Sequence, residues 1–265
     1  MSDKRPIGVF DSGVGGLTVV EQIRKILPGE DIIYFGDTAR VPYGTKSKET
    51  ITKFSVENVE FLMEKDVKLV VVACNTASSL GLDFLKRCFR VPIIGVIEPG
   101  AKGAVSLTRN NRIGVIGTNA TISSGAYEKA IRKINPGIFV SKASCPLFVP
   151  LVEEGWADMP VTGQIASIYL TPLKSTKIDT LIMGCTHYPL LRETIQRVMG
   201  RGVMLVDSAK EVAREVKTIL DSAGGLNTGG RKGKINFFVS DEPFRFVSVA
   251  ERFLRRKISC VKRAV

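Results

Sequence analysis

Short apolar runs and stretches of helical periodicity alternate along the first hundred or so residues of the chain. An apolar run bounded by Gly, Pro or polar residues predicts a buried strand of a parallel sheet. The predicted strands cover residues 7–10, 31–36, 67–73 and 91–97. The predicted helices cover residues 17–27 and 47–65, and a third runs from the turn at Cys74 to residue 89. This alternation indicates an α/β fold in which helices cover a parallel sheet.

The same order of elements starts again after Glu98-Pro99-Gly100. Ile113–Thr118 repeats the pattern of Ile7–Ser12. We therefore expect two similar parallel-sheet α/β domains, related by a pseudo-two-fold axis, with an active site in the cleft between them. The predicted first domain is 1–97 and the predicted second domain is 98–207.

Residues 208–265 fit neither repeat. Their pattern predicts a helix over 208–223, a strand over 235–240 and a final helix over 242–257. We expect this segment to return to the first domain and pack on it.

A second repeated feature carries candidate chemistry. Val70-Val71-Val72-Ala73-Cys74-Asn75-Thr76 returns as Thr180-Leu181-Ile182-Met183-Gly184-Cys185-Thr186-His187. Each cysteine is expected at the carboxyl end of a strand and just before a helix. Open α/β sheets bind ligands at that edge, and a helix N-terminus favours a thiolate. Two matched cysteines suggest a pair of acid/base groups.

The other cysteines carry no comparable pattern. The chain has five cysteines, scattered and without a Cys-x-x-Cys pair, so neither a disulfide framework nor a metal site is expected. Cys88, Cys145 and Cys260 are interpreted as buried, inert small hydrophobes.

The charge balance is basic, with 38 Lys and Arg against 26 Asp and Glu and a formal net charge of +12. The basic residues are dispersed except for a C-terminal group formed by Arg252, Arg255, Arg256, Lys257, Lys262 and Arg263. Because no aromatic residues interleave with a basic stripe, solvated helix faces explain this charge better than nucleic-acid binding does. The N-terminus lacks a secretory apolar region and no run is long enough to span a membrane, so we expect a cytoplasmic protein.

The turn Asp11-Ser12-Gly13-Val14-Gly15-Gly16 follows the first strand. Its glycines miss the G-x-G-x-x-G spacing of dinucleotide-binding loops, and Asp11 would repel a phosphate. The Asp11 carboxylate and the Ser12 hydroxyl suit an ammonium group or a proton-transfer partner instead.

Two reactions compete for the cysteines. Cys185 and His187, the only histidine, could form a thiol hydrolase pair, but such an enzyme leaves Cys74 without a role. Racemisation or epimerisation without a cofactor uses both, because one thiolate removes the α-proton while the opposite thiol protonates the other face. Helix N-termini at Asn75-Thr76 and Thr186-His187 could hold carboxylates, although Asn75, Thr76 and Thr186 could equally be helix caps.

At these positions the sequence closely resembles bacterial glutamate racemases of the aspartate/glutamate racemase superfamily. The matching motifs are Ile7 to Thr18 (IGVFDSGVGGLT), Pro42-Tyr43-Gly44, Ala73 to Ser78 (ACNTAS), Gly117-Thr118 with Thr121, and Gly184 to Leu191 (GCTHYPLL). The likeness extends over nearly the whole chain. It implies a two-domain fold with a buried active site, and neither pyridoxal phosphate nor a metal.

The resemblance also implies roles for individual residues. Cys74 and Cys185 would be the acid/base pair, with Asp11 and His187 assisting and Glu153 a further polar residue near the site. The residues implied to hold the substrate are Asp11, Ser12, Pro42, Tyr43, Gly44, Asn75, Thr76, Thr118, Thr121, Thr186 and His187. The expected activity is conversion of L-glutamate to D-glutamate for peptidoglycan synthesis.

Other functions stay open at this point. Aspartate or another acidic amino acid is the alternative substrate, although the Cys185-Thr186-His187-Tyr188 motif favours glutamate. A secondary nucleic-acid-binding role is the alternative from a different class, for which steep salt dependence of DNA affinity would be the test. We expect a small-molecule substrate and no membrane partner, and a homodimer is one assembly that the sequence allows.

Overall fold

A computed structural model describes residues 3–254, 256–258 and 260–264. Arg255, which belongs to the C-terminal basic group and to the predicted last helix, lies outside the described residues, as do the outermost residues of the predicted domains (1–2 and 265). No helix among the described residues has the length and apolar character needed to cross a membrane.

The described strands form two sheets in which every pairing is parallel. The first sheet contains β1 (Ile7–Asp11), β2 (Ile32–Gly36), β3 (Leu69–Val72), β4 (Ile93–Gly95), β9 (Ile235–Val239) and β10 (Val261–Arg263). The second contains β5 (Arg112–Gly117), β6 (Phe139–Ser144), β7 (Thr180–Gly184) and β8 (Met204–Val206). Their orders are β10-β9-β2-β1-β3-β4 and β6-β5-β7-β8.

Helices fill the connections between strands. The helices are α1 (Leu17–Ile26), α2 (Lys48–Met63), α3 (Asn75–Leu80), α4 (Leu82–Cys88), α5 (Ile97–Leu107), α6 (Asn119–Ser123), α7 (Ala126–Ile134), α8 (Phe148–Glu153), α9 (Pro160–Ser175), α10 (Arg192–Met199), α11 (Ser208–Ser222) and α12 (Pro243–Leu254). Short 3-10 turns occupy Thr38–Arg40, Tyr43–Thr45 and Tyr188–Leu191.

The two sheets have the same order of corresponding strands, which confirms the predicted fold class of two similar parallel-sheet α/β units. The order β2-β1-β3-β4 corresponds to β6-β5-β7-β8, so β1 matches β5 and β3 matches β7. Strands β1, β3 and β7 are buried along their whole length, as their continuous apolar sequences predict. Cys74 therefore follows one strand and Cys185 follows its counterpart.

The C-terminal segment returns to the first sheet, as expected. Strand β9 pairs with β2, and β10 pairs with β9. Helix α11 packs against α1 and α5, and one apolar core continues from the first sheet to the second. The domain limits at 97 and 207 stay a prediction that this strand pairing supports.

Two predicted helices differ from those observed. The helix after Cys74 is divided into α3 and α4 at Gly81, a residue with poor helix propensity. After Cys185 the chain forms the 3-10 turn Tyr188–Leu191, which includes Pro189, and α10 begins only at Arg192. The expectation that Thr186-His187 lies at an α-helix N-terminus is therefore wrong.

Candidate active site

A cavity of about 310 Å³ lies where the carboxyl ends of the central strands of both sheets converge. Ser12 follows β1, Cys74 follows β3, Thr118 follows β5 and Cys185 follows β7, and all four line the cavity. The other predicted residues in its lining are Pro42, Tyr43, Gly44, Asn75, Thr76, Glu153, Thr186 and His187. The residues of the lining that the sequence did not single out are Val41, Thr45, Asn119, Pro146, Val149 and Pro150.

Cys74 lies in an acidic environment. Its thiol is 5% exposed. Burial and the nearby Asp11 carboxylate raise the pKa of Cys74 to about 12. The nearby backbone N–H of Ala77 and hydroxyl of Ser12 act in the opposite direction and lower the pKa. With this pKa, Cys74 holds its proton at neutral pH.

Cys185 lies beside a cation. Its Sγ is 3.9 Å from Nδ1 of His187, and Nε2 of His187 is 3.0 Å from Oε1 of Glu153. Burial opposes the charge on His187, yet the hydrogen bonds with Cys185 and Glu153 outweigh it and raise the pKa of His187 to about 10. Burial raises the pKa of Glu153, but the contact with His187 outweighs this and lowers it. A protonated imidazole thus faces the Cys185 sulfur, which stabilises a thiolate.

Asp11 lies behind the cavity wall and connects the two sheets. Its carboxylate is fully buried, accepts a hydrogen bond from the backbone N–H of Gly13 (3.0 Å) and lies 3.4 Å from the Thr186 hydroxyl. Burial raises the pKa of Asp11, while the His187 charge and backbone N–H groups counteract that increase. Asp11 can therefore influence Cys74 and Thr186 without being part of the lining.

Three threonine hydroxyls form a small network at the opposite wall. Thr76 Oγ1 lies 3.0 Å from Thr118 Oγ1 and 3.3 Å from Thr121 Oγ1, and Thr118 is 3.0 Å from Thr121. Thr121 is 1% exposed and does not line the cavity. It fixes the hydroxyls of Thr76 and Thr118, which do line it. The network joins α3 of the first sheet to α6 of the second.

The glycines of the loop after β1 allow a close approach between the two units. A Cβ added to Gly15 would lie 2.2 Å from Thr186 Oγ1 and 2.6 Å from His187 Nδ1. Gly44, in the 3-10 turn after β2, makes a similar approach, because a Cβ there would lie 2.7 Å from Thr118 Cβ. Only glycine, which has no Cβ, leaves room for Thr186 and His187 beside the loop. The glycines of the loop therefore let its backbone lie against the second unit, and they do not form a dinucleotide-binding fingerprint.

Tyr43 is held in the lining by a buried polar network that the sequence did not reveal. Its hydroxyl donates to Asp37 and accepts from Asn58 Nδ2 at 3.1 Å. Arg40 Nε donates to both oxygens of Asp37, and Ser240 Oγ donates to Asp37 at 3.0 Å. Asp37, Arg40 and Tyr43 belong to one loop, whereas Asn58 and Ser240 come from other parts of the chain, so the fold is needed to complete the network.

The remaining cysteines correct one expectation. Cys145 is buried, as predicted, but Cys88 and Cys260 are exposed. Cys88 lies in the last turn of α4 beside exposed Lys86 and Arg87, and Cys260 has a positive φ of 58° just before β10. Neither position faces a core.

The C-terminal basic residues make contacts with protein groups. Arg252 Nη2 donates to the backbone oxygen of Glu153 (2.9 Å), and Arg256 pairs with Glu21 (2.7 Å). Arg263 pairs with Asp241 at 3.4 Å. These contacts favour a structural explanation for much of this charge. Within the described ranges, no group of three or more His, Cys, Asp or Glu residues is arranged to hold a metal ion.

Comparisons with known proteins agree with this geometry. The family model for Asp/Glu/hydantoin racemases matches residues 7–216. A glutamate racemase of Geobacter metallireducens is 54% identical over 97% of this chain and 95% of its own length. The crystal structure of glutamate racemase isoform RacE1 from Bacillus anthracis has a TM-score of 0.95 and 43% identity, covering 98% of this chain and 97% of that one.

A glutamate racemase from Francisella tularensis, solved in complex with D-glutamate, has a TM-score of 0.92 and 41% identity over 99% of this chain and 98% of that one. Its similarity, like that of the other two, extends over the entire arrangement of both sheets. The chain therefore belongs to the Asp/Glu/hydantoin racemase family, among its glutamate racemases.

Proposed function

We propose that this protein interconverts L- and D-glutamate by a two-base mechanism in which Cys74 and Cys185 are the acid/base pair. The observation that carries the proposal is that these cysteines follow matching strands, β3 and β7, and line one cavity. Racemisation requires one base and one acid on opposite sides of the α-carbon, and two equivalent thiols meet this requirement. The D-glutamate formed would serve peptidoglycan synthesis.

The surroundings of the two cysteines differ in charge. Burial and the Asp11 carboxylate keep Cys74 a thiol, whereas the protonated His187 lies beside the Cys185 sulfur. The Cys185 thiolate takes the α-proton, an S–H bond forms, and the C–H electron pair remains on the substrate. Cys74 then donates its proton to the opposite face. After the turnover Cys185 is a thiol and Cys74 is a thiolate, which are the states that the reverse reaction requires.

The same cavity offers groups for the ends of an acidic amino acid. Amide and hydroxyl groups of Asn75, Thr76 and Thr186 can hydrogen-bond to a carboxylate as charge develops at the neighbouring α-carbon. Ser12, Tyr43 and Gly44 also line the cavity. The buried Asp11 carboxylate lies 3.4 Å from the Thr186 hydroxyl and so is close enough to the cavity to stabilise an ammonium group electrostatically.

The substrate test compares turnover of L-glutamate with that of L-aspartate. Circular dichroism of reactions with purified protein should show loss of optical activity with glutamate, and little change with aspartate. Comparable turnover of the two substrates would contradict specificity for glutamate. It would favour a broader activity on acidic amino acids.

The mechanistic test replaces each cysteine separately. Cys74→Ser and Cys185→Ser should each lower racemisation about a hundredfold or more in both directions, because every turnover needs both groups. Each variant should still eliminate chloride from one enantiomer of a β-chloro analogue of glutamate, because elimination requires only one base. The preferred enantiomers should be opposite in the two variants. Cys88→Ser, at an exposed site, serves as the control.

Retained racemisation in either variant, or the same enantiomer preference in both, would contradict the two-base mechanism. Location in the cytoplasm and assembly as a homodimer stay predictions from the sequence.

A further inference from the structure

Tyr127 makes a buried contact with the site from a helix outside it. Tyr127 lies on α7 of the second unit and is 3% exposed. Its hydroxyl donates to Oδ1 of Asn75 at 2.7 Å and lies 3.2 Å from the hydroxyl of Ser208. Asn75 begins α3 of the first unit and lines the cavity. One phenol thus connects the second unit to a residue of the cavity wall.

The ring of Tyr127 is held in a narrow slot between two glycines. A Cβ added to Gly184 would lie 3.0 Å from Cε2 of Tyr127, and a Cβ added to Gly100 would lie 3.3 Å from its Cε1. The Gly100 position would also bring a Cβ within 2.3 Å of Ser208 Oγ. Because the ring has so little space to move, its hydroxyl oxygen stays at a fixed position beside Asn75 Oδ1.

The hydrogen bond from Tyr127 to Oδ1 bears on which end of the Asn75 carboxamide faces the cavity. An asparagine side chain has an oxygen that accepts hydrogen bonds and an NH₂ group that donates them. Since Tyr127 occupies Oδ1, the NH₂ group is left for the cavity, where it can donate to a carboxylate. A reversed amide would present its oxygen to an anion and repel it.

We propose that Tyr127 is a positioning residue that fixes the Asn75 carboxamide with its NH₂ group toward the substrate carboxylate. The proposal rests on the proposed function in that the substrate is an acidic amino acid. It also makes the orientation of Asn75 depend on both units being packed together, because α7 and α3 belong to different sheets.

The test measures KM and kcat for both enantiomers of glutamate, and the Kd of glutamate by calorimetry. Tyr127→Phe should raise KM and Kd about tenfold, the loss expected for one hydrogen bond to a charged ligand, and change kcat less than KM. Ser208→Ala is the matched control, because it removes the other partner of the same hydroxyl and leaves the Asn75 contact intact. Its KM should stay at the wild-type value.

A double variant separates positioning from a general structural effect. In an Asn75→Ala background, Tyr127→Phe should cause no further increase in KM, because the group that it positions is absent. An equal increase in both backgrounds, or an unchanged KM in Tyr127→Phe alone, would overturn the proposal.

A second route tests the same orientation if Tyr127→Phe does not fold. Asn75→Asp keeps an oxygen for Tyr127 but presents another oxygen to the cavity, so KM should rise at least as much. An unchanged KM would again refute the proposal. Wild-type protein that binds glutamate without racemising it would refute the proposed function and leave the Kd comparison valid. Wild-type protein that does not bind glutamate would refute both.

Discussion

At the residue scale, the two cysteines differ in their neighbours more than in their positions. Asp11 places a carboxylate near Cys74, whereas His187 places an imidazole beside Cys185. A carboxylate disfavours a nearby thiolate and a cation favours it. The symmetry of the strands therefore supplies two equivalent sites, and the side chains around them place a carboxylate near one sulfur and an imidazole beside the other.

Glu153 is expected to determine how far into the alkaline range the His187 charge persists. Its carboxylate accepts from Nε2 of His187 and helps raise the pKa of His187 to about 10. Glu153→Gln should lower that pKa, so His187 loses its proton at lower pH and stops stabilising the Cys185 thiolate. At pH 9, kcat/KM should fall roughly tenfold relative to wild type, and much less at pH 7.

The adjacent Glu154 provides the control for this pH profile. Its side chain is 65% exposed and contacts only Arg245, at 3.8 Å, among the ion pairs of the described residues. Glu154→Gln should leave the profile of kcat/KM against pH unchanged. If Glu153→Gln gives the wild-type profile as well, then Glu153 does not control the His187 charge.

At the scale of elements, the loop after β1 places its backbone directly against the second unit. The space beside Gly15 is already occupied by Thr186 and His187, so any side chain there would displace both. Gly13 lies two residues away in the same loop, and a Cβ there would make only an ordinary 3.4 Å contact with Val41. The two glycines therefore have different roles despite their shared motif.

Gly15→Ala should lower kcat/KM about a hundredfold, because a displacement of catalytic groups by about 1 Å has an effect of that size. Gly13→Ala, as the control, should retain most of the activity. Thermal unfolding of both variants would show whether the fold is intact. Equal activities in the two variants would mean that the close approach at Gly15 has no catalytic importance.

Elements with a strong apolar pattern could be predicted, and those without one could not. Strands β3 and β7 are fully buried, so their apolar runs and the cysteines after them were visible in the sequence. Strand β6 is an edge strand in which no residue is fully buried, and its mixture of apolar and polar residues gave no clear pattern. The division at Gly81 and the 3-10 turn at Tyr188–Leu191 depend on local backbone geometry.

The candidate site shows the same limit. The sequence pattern placed both cysteines, Ser12, Asn75, Thr76, Thr186 and His187 at strand ends. The family resemblance added Pro42, Tyr43, Gly44, Thr118 and Glu153 to the lining. Support from behind the lining was not predictable, because the contacts of Ser240 with Asp37 and of Tyr127 with Asn75 form only through tertiary packing. Sequence distance hides such contacts, since Tyr127 and Asn75 lie on different units.

At the scale of the whole molecule, a buried ion pair anchors the chain where it returns to the first sheet. Lys68 Nζ lies 2.6 Å from Glu30, and both side chains are 2% exposed. Lys68 also donates to the backbone oxygens of Asp3 and Gly225, each at 2.8 Å. Glu30 accepts from the backbone N–H of Asn227 at 2.8 Å. The pair thus ties the N-terminus and the segment before β9 to the same place.

Removing one partner of this pair should be more harmful than removing both. Lys68→Met leaves the Glu30 carboxylate buried without its cation, so the free energy of unfolding should fall by about 3–5 kcal/mol. Glu30→Leu combined with Lys68→Met should recover much of this loss. The exposed pair Lys102–Glu215 gives the control, since Lys102→Met should cost less than about 1 kcal/mol. Urea unfolding monitored by circular dichroism measures all three. A double variant as unstable as Lys68→Met alone would show that the backbone contacts of Lys68, rather than the ion pair, anchor the returning segment.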